Sequence, residues 1–225
     1  MNGKPTRVMI ADDHSLVRLG MRELLSHEPD IEICGEAASV ADALKMALEL
    51  TPDVIVVDLT FGDGTGIEFI KQLRLRDRNV KMIVSTMHDE SLFGERCFRA
   101  GAAGFVNKEE ASEKVVEAIR SVMSGKLYLS PRLADRVLNR ALGGNEVRPT
   151  SALDSLTDRE LEVFAMIGRG LTTRQIAEKL YLSHKTIESY RENIKSKLRL
   201  RNAAELNRHA VQWALEGTHE PASQE

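Results

Sequence analysis

Three carboxylates stand where apolar runs end: Asp12 and Asp13 follow residues 7–11, and Asp58 follows the four β-branched residues Val54-Ile-Val-Val57. Pro52 precedes the second run, and Gly62, Gly64 and Gly66 come after it. That pattern suits a strand buried on both faces, with Asp58 where it surfaces. In open α/β sheets this edge is where ligands bind. Carboxylates brought together repel one another unless a cation lies among them, and an all-oxygen set favours Mg2+, which keeps several of its waters. Beside such a cation Asp58 is a hard oxygen nucleophile, able to take up a phosphoryl group whose charge the metal neutralises. Lys108 and Thr86 end two further apolar runs and offer a positive charge and a hydroxyl to the same group. Taken singly, each has a plainer reading: Asp13 as a helix cap, Thr86 as the end of a strand, Lys108 as a solvated charge.

The elements that must hold these groups alternate strictly. Strands are expected over residues 7–11, 31–36, 54–57, 80–85 and 103–106, with helices between and after them. Leu16, Leu19, Met21, Leu24 and Leu25 space out as the face of the first helix, and Val40, Ala43, Leu44, Ala47 and Leu48 as that of the second. A third helix over 65–76 turns Ile67, Ile70 and Leu73 inward, and two more cover 91–100 and 111–123. Repeated strand–helix pairs imply right-handed crossovers and a parallel sheet covered on both sides. Neighbouring first and third strands would then bring Asp12, Asp13 and Asp58 to one edge.

At 225 residues the chain has room for two cores. No apolar run approaches the roughly 18 to 20 residues that span a bilayer, and residues 1–7 carry no apolar leader, so a cytoplasmic protein without membrane contact is expected. Cys34 and Cys97 lie far apart without C-x-x-C spacing, as reduced structural thiols would. The net charge of −3 is unevenly spread: residues 1–130 hold 16 Lys/Arg against 21 Asp/Glu, whereas residues 169–201 hold 9 against 3. An acidic first half and a basic later segment fit a metal or phosphoryl site joined to a reader of polyanions.

Past residue 124 the strand–helix alternation fades. Pro131 opens one short helix to 142, with Leu133, Val137, Leu138 and Leu142 on a face, and the Gly- and Pro-containing residues 143–151 read as a linker. The expected division is 1–124, a linker over 125–153 that includes that helix, a helical domain over 154–217, and a disordered tail over 218–225. In the helical domain Thr157 and Glu160 form a capping box ahead of Leu161, Phe164, Ala165 and Ile167. Thr173 and Arg174, both candidate DNA contacts, open a second helix, and Ser183 caps a third after a tight connection. That arrangement is how a helix-turn-helix presents a recognition helix to the major groove. On the third helix Ile187, Tyr190, Ile194 and Leu198 face inward. Ser183, His184, Lys185 and Thr186 form its polar first turn, with Glu188, Ser189, Glu192, Asn193, Lys195 and Lys197 along the rest. The lysines suit phosphates, and Glu188 could accept from a cytosine amino group.

Ile10-Ala-Asp-Asp-His14, Val57-Asp-Leu59, Ser85-Thr-Met-His88 and Gly101-Ala-Ala-Gly-Phe-Val-Asn-Lys108 resemble the receiver domain of bacterial response regulators over residues 6–124. The resemblance implies a flavodoxin-like α/β fold with strand order 2-1-3-4-5. It makes Asp58 the phosphoacceptor, Asp12 and Asp13 the Mg2+ ligands together with the Thr60 carbonyl, Lys108 the partner of a phosphoryl oxygen, and Thr86 with Phe105 a switch pair. Gly62 and Glu109 stand where the family commonly has proline, which implies a more mobile loop and a Lys108–Glu109 bond either strained or trans, the latter displacing the lysine.

Leu156-Thr-Asp-Arg-Glu-Leu-Glu-Val163, Gly170-Leu-Thr-Thr-Arg-Gln-Ile-Ala177 and Thr186-Ile-Glu-Ser-Tyr190 through Lys197 and Leu198 are similar to the LuxR-type DNA-binding domain over 154–215, with Tyr190 where histidine is often found. Together the two resemble the NarL/FixJ class of response regulator. The resemblance implies an all-α four-helix DNA-binding domain whose last helix is a dimer face, bringing in Ala203, Leu206, Ala210, Val211 and Trp213. It also implies a sensor histidine kinase as donor, promoter DNA as target, contact with RNA polymerase, and a homodimer on phosphorylation. Two alternatives stay open on the residues: a regulator controlled by partner binding alone, and an aspartyl-phosphate phosphohydrolase. Against the latter, position 60 is Thr where such enzymes place a second Asp.

Overall fold

The computed structural model describes residues 4–109, 113–141 and 152–218, and the chain divides into two compact units, 1–144 and 145–225. In the first, β1 (Thr6–Ala11), β2 (Ile31–Ala37), β3 (Val54–Val57), β6 (Lys81–Thr86) and β7 (Gly104–Asn107) form one parallel sheet in the order β2-β1-β3-β6-β7. The expected flavodoxin-like order is therefore present. Every residue of β3 is buried, as a central strand covered on both faces requires. The crossovers are α1 (Ser15–Ser26), α2 (Val40–Leu50), α3 (Gly66–Arg76) and α4 (Glu90–Ala100), and α5 (Glu113–Met123) follows β7.

Helical spacing located these helices better than it located their inner faces. Leu16 is 80% and Leu19 55% exposed, so α1 instead packs through Met21 and Leu25, with Val17 and Leu24 partly covered. Leu48 of α2 is exposed as well. A run of leucines wider than one helical stripe cannot all face one side, and the sheet selects the stripe that reaches it.

The glycine-rich turn after Asp58 is a built structure. β4 (Thr60–Phe61) and β5 (Gly64–Thr65) pair as a small antiparallel hairpin. The Asp63 carboxylate at its tip accepts from the Val40 and Ala41 amides, 2.9 and 3.2 Å away, tying it to the start of α2. Thr65 then caps α3, accepting from the Glu68 amide. At Gly66 a Cβ would lie 1.9 Å from the Asp58 carbonyl oxygen, so the chain passes too close to the end of β3 for any side chain.

Beyond α5 the chain returns to the sheet: the Phe105 amide donates to the Tyr128 carbonyl and the Tyr128 amide to the Ala103 carbonyl, both at 2.9 Å. α6 (Pro131–Ala141) then lies against α4, burying Leu133, while Leu138, expected inward, is exposed. Leu142 and the linker residues 143–151 fall outside the described residues, as do residues 219–225 of the tail.

In the second unit a single 3-10 turn (Ala152–Ser155) precedes α7 (Asp158–Gly168), α8 (Thr173–Lys179), α9 (His184–Leu198) and α10 (Ala203–Thr218). Both arms of the Thr157/Glu160 capping box are formed, and Thr172 with Gln175 makes a second one that the sequence reading missed. Phe164, Ile167, Ile176, Leu180, Ile187, Ile194 and Leu206 make the core. α7 and α10 cross closely at Gly168, where a Cβ would meet the Ala210 carbonyl oxygen at 2.6 Å. Among the described residues no helix is long and apolar enough to cross a membrane.

Two glycines of the first unit should respond to alanine with opposite signs. Gly66→Ala is expected to destabilise by about 2–3 kcal/mol because backbone must move. Gly20, on the exposed side of α1 with nothing within 4 Å, should gain about 0.5–1 kcal/mol as alanine. Urea midpoints of the two variants against the parent chain measure both.

Candidate functional site

Four strand ends converge in the first unit. The ladder runs one residue past each pair: the Asp58 amide donates to the Ala11 carbonyl at 2.8 Å, and the Lys108 amide to the Thr86 carbonyl at 2.9 Å. Asp12, Asp58 and Thr86 are thereby held almost wholly out of water, at 1%, 5% and 0% exposure. One Asp58 oxygen, Oδ1, accepts from the Leu59 amide at 2.7 Å. The other, Oδ2, faces the Lys108 ammonium at 3.0 Å, and the same ammonium donates to Asp12 Oδ2 at 2.6 Å. Asp12 Oδ1 in turn accepts from the His14 amide at 2.9 Å.

No described peptide bond is cis. Lys108–Glu109 is therefore trans, and the expectation that a trans bond would displace the lysine is corrected by its position on both carboxylates. The Asn107 carboxamide accepts from the Glu109 amide at 2.9 Å, so a side chain turns the backbone after the lysine.

Burial raises the Asp58 carboxyl above the ordinary carboxylate range, against the lowering pull of Lys108. Burial likewise raises Asp13, offset by His14 and reinforced by the negative charges of Asp58 and Asp12. For Lys108 burial favours the neutral amine, but Asp58 and Asp12 more than reverse it and the ammonium is stabilised. One cation for three carboxylates leaves an acidic excess. Oxygens of Asp12, Asp13 and Asp58 and a ring nitrogen of His14 lie within 4.8 Å of one another. This donor set fits a hard divalent cation such as Mg2+, which the three carboxylates would hold. His14 was not singled out from the sequence. Its ring is half exposed, with Nδ1 2.7 Å from Asp13 Oδ1.

Two buried groups flank the acidic set. Thr86 Oγ1 accepts from the His88 amide at 3.3 Å. His88, also unremarked in the sequence, is 5% exposed. Its Nε2 lies 3.0 Å from Thr60 Oγ1, and its ring packs on Phe93 at 4.7 Å between centroids. No spacing rule connects positions 60 and 88; only the fold brings them together. Phe105 is 5% exposed and lies inward.

The second unit presents the helix pair expected of a groove reader. Ser183 caps α9, accepting from the Thr186 amide, and the first turn carries no acidic side chain. Ser183, His184, Lys185, Ser189 and Asn193 are exposed, and Thr186 is half-buried. Several candidate contacts also have partners within the unit. Glu188 accepts from the Thr173 hydroxyl at 2.9 Å, Lys195 pairs with Glu192 at 2.8 Å, and Arg174 pairs with Glu178 at 2.9 Å. Lys197 donates to the buried Glu160 at 2.6 Å, fastening α9 to α7. Burial would raise Glu160, but hydrogen bonds from Lys197 and Thr157 leave its carboxyl lowered.

Of the expected dimer face, Leu206 and Ala210 are fully buried in the unit's own core. Trp213 is half-buried, its ring 6.3 Å from that of Phe164. Ala203 and Val211 are exposed, joined by Leu215, so a free face of α10 would be built on these three.

Residues 8–120 match the response regulator receiver domain, and residues 154–210 match the bacterial regulatory proteins of the luxR family. The chain is 34% identical to the response regulator GacA of Pseudomonas aeruginosa over 209 residues, covering 93% of this chain and 97% of GacA. It is 36% identical to the response regulator UvrY of Escherichia coli, covering 92% and 94%. Among solved structures it is similar to RcsB from Salmonella enterica serovar Typhimurium bound to promoter rprA in the presence of the phosphomimetic BeF3-. There the TM-score is 0.61 at 25% identity over 92% of this chain and 99% of the other.

A carboxyl raised by burial favours the fold while protonated and opposes it once charged, so the Asp58 charge costs stability above its folded-state pKa and that cost fades as pH falls. Asp58→Asn is expected to raise the melting temperature of the metal-free protein at neutral pH by about 2–4 °C. The gap should close on acidification, and thermal scans of both chains in chelator across pH follow it.

Proposed function

Because the chain belongs to the response regulators that join a receiver domain to a LuxR-type DNA-binding domain, we propose that phosphorylation of Asp58 switches its action on promoter DNA. The observation that carries this reading is the Lys108 ammonium set between Asp58 and Asp12 among three strand-end carboxylates. In the proposed reaction a sensor histidine kinase presents a phosphohistidine. An Asp58 oxygen attacks phosphorus in line, the P–N bond breaks, and the imidazole leaves with the bonding pair. Oδ1 is held by the Leu59 amide, which leaves Oδ2 as the attacking oxygen. The chain's own groups then do electrostatic work: Lys108 moves from the carboxylate to a phosphoryl oxygen and Thr86 gives its hydroxyl to another. Mg2+ held by Asp12, Asp13 and Asp58, with the Thr60 carbonyl, would neutralise charge on the group in flight. This is acceptance of a group rather than turnover of a substrate, with slow loss to water.

The proposed output is major-groove binding by the first turn of α9, where Ser183, His184 and Lys185 are exposed beside a positive helix end. Thr186, Ser189 and Asn193 continue that edge. Glu188, held by Thr173, helps fix the angle between α8 and α9. Dimerisation on DNA would use Ala203, Val211 and Leu215. A regulator of promoters works where the chromosome is, in the bacterial cytoplasm.

A small acyl phosphate with Mg2+ should label the chain once, and Asp58→Asn should abolish labelling; full labelling of that variant would sink the assignment. Mg2+ alone should bind saturably to the parent chain. Lys185→Ala should weaken DNA binding about equally for all sequences and lower the salt slope by about one, measured by titrating a promoter fragment at several salt concentrations.

A further inference from the structure

α6 is held to the first unit by groups on α4, the helix that follows the strand ending at Thr86. Its cap is shared between two helices: the Ser130 hydroxyl accepts from the Leu133 amide at 3.1 Å, while that hydroxyl and the Ser130 amide both donate to the carboxylate of Glu90, the first residue of α4. Leu133, 2% exposed, fills the space left by Gly94, where a Cβ would come within 2.8 Å of its Cδ2. One turn on, the Arg136 guanidinium donates to the Ser91 carbonyl at 2.9 Å and lies 3.9 Å from Glu95. The segment leading into α6 hangs on the sheet at Phe105, whose amide donates to the Tyr128 carbonyl.

We propose that the groove on α4 between Glu90 and Gly94 is a reversible docking site for this chain's own α6, closed while Asp58 is unmodified and opened by its phosphorylation. The inference rests on the reading of Asp58 as phosphoacceptor and goes beyond it by naming the segment that responds. The path is short. Thr86 now accepts from the His88 amide, and a hydroxyl that swings to a phosphoryl oxygen abandons that bond. His88 and Asp89 are the residues through which β6 turns into α4, and Asp89 caps that helix. A shift of the turn therefore moves Glu90, and Ser130 loses the carboxylate that orients it. Phe105 holds the same segment from the other side through its amide bond to the Tyr128 carbonyl, so the segment is gripped at Tyr128 by the sheet and at Ser130 by Glu90. An 11-residue helix is marginal on its own in water, so undocking should let α6 fray.

Backbone hydrogen exchange of the full chain tests this. After labelling with a small acyl phosphate and Mg2+, amides in residues 133–141 should exchange about tenfold faster or more, while those of α2 keep their rates. Leu133→Ala and Glu90→Ala should show the fast rate before any labelling, with little further change after it. Unchanged exchange in a fully labelled chain would overturn the docking switch and leave the phosphoacceptor intact. Slow exchange in both variants would overturn it too, by showing that these contacts do not hold α6. A chain that takes up no phosphoryl group would overturn both this switch and the Asp58 assignment.

Discussion

The first unit depends on one ammonium. Lys108 follows β7, at the edge of the sheet, yet its charge is spent on carboxylates that follow β3 and β1, on the far side of β6. Adjacent strands stand about 4.8 Å apart, so the lysine must cross one strand position to reach Asp58 and another to reach Asp12. Its long aliphatic stem makes that possible. Without the ammonium, three carboxylates would meet at one edge with no side-chain cation of the described residues between them, since the nearby Arg18 guanidinium is taken up by the Asp12 carbonyl and Glu36. With it, the edge is balanced enough to fold and acidic enough to hold a cation. The raised pKa values on both sides of the pair express the same conflict between burial and charge, resolved for Lys108 and unresolved for Asp58.

Charge has a different role in the second unit. Its basic balance suggested a surface given over to a polyanion, yet the structure commits Lys197 to Glu160 and Lys195 to Glu192. Glu160 is nearly inaccessible, so the Lys197 ion pair belongs to the packing of α9 on α7 and is partly shielded from salt. What stays available includes the start of α9, where exposed polar side chains, Lys185 and the helix dipole coincide, together with exposed Lys179, Arg199 and Arg201. Net charge thus identified the unit, while burial and pairing decide which of its charges are free to act.

Much of this could be read from the chain alone, and the misses share a cause. Buried strands, caps and strand-end carboxylates are local patterns, so Asp12, Asp58, Thr86 and Lys108 were found with their strands, and Thr157 and Ser183 with their helices. Leu16 and Leu19 were misplaced because periodicity yields a stripe without saying which of two overlapping stripes the sheet will cover. Leu206 and Ala210 were misplaced in the same way, since an apolar helix face looks alike whether it meets its own core or a second copy. His88 and Thr60 could not be paired from sequence at all. The hairpin at residues 60–65 was hidden because two-residue strands leave no periodicity to detect, and its glycines suggested freedom where Gly66 in fact marks a close approach of backbone to backbone.

The strength of the α4–α6 contact bears on whether phosphate chemistry could move it. Burying one leucine is worth about 1.5–3 kcal/mol, and hydrogen bonds of the Glu90 and Arg136 kind add about 0.5–1.5 kcal/mol each. Reversing a two-state equilibrium from about 1:99 to 99:1 takes about 5.5 kcal/mol, so a contact of this size lies within the range one modification can overcome. A helix buried along a whole apolar face would lie beyond it. α6 meets the condition from its sequence outward: Leu133 is deeply buried while Leu138 stays in water, and the remaining grip is polar and converges on the first turn of α4. A clasp that depends on the geometry of one helix end is strong while that end is still, and fails when it turns.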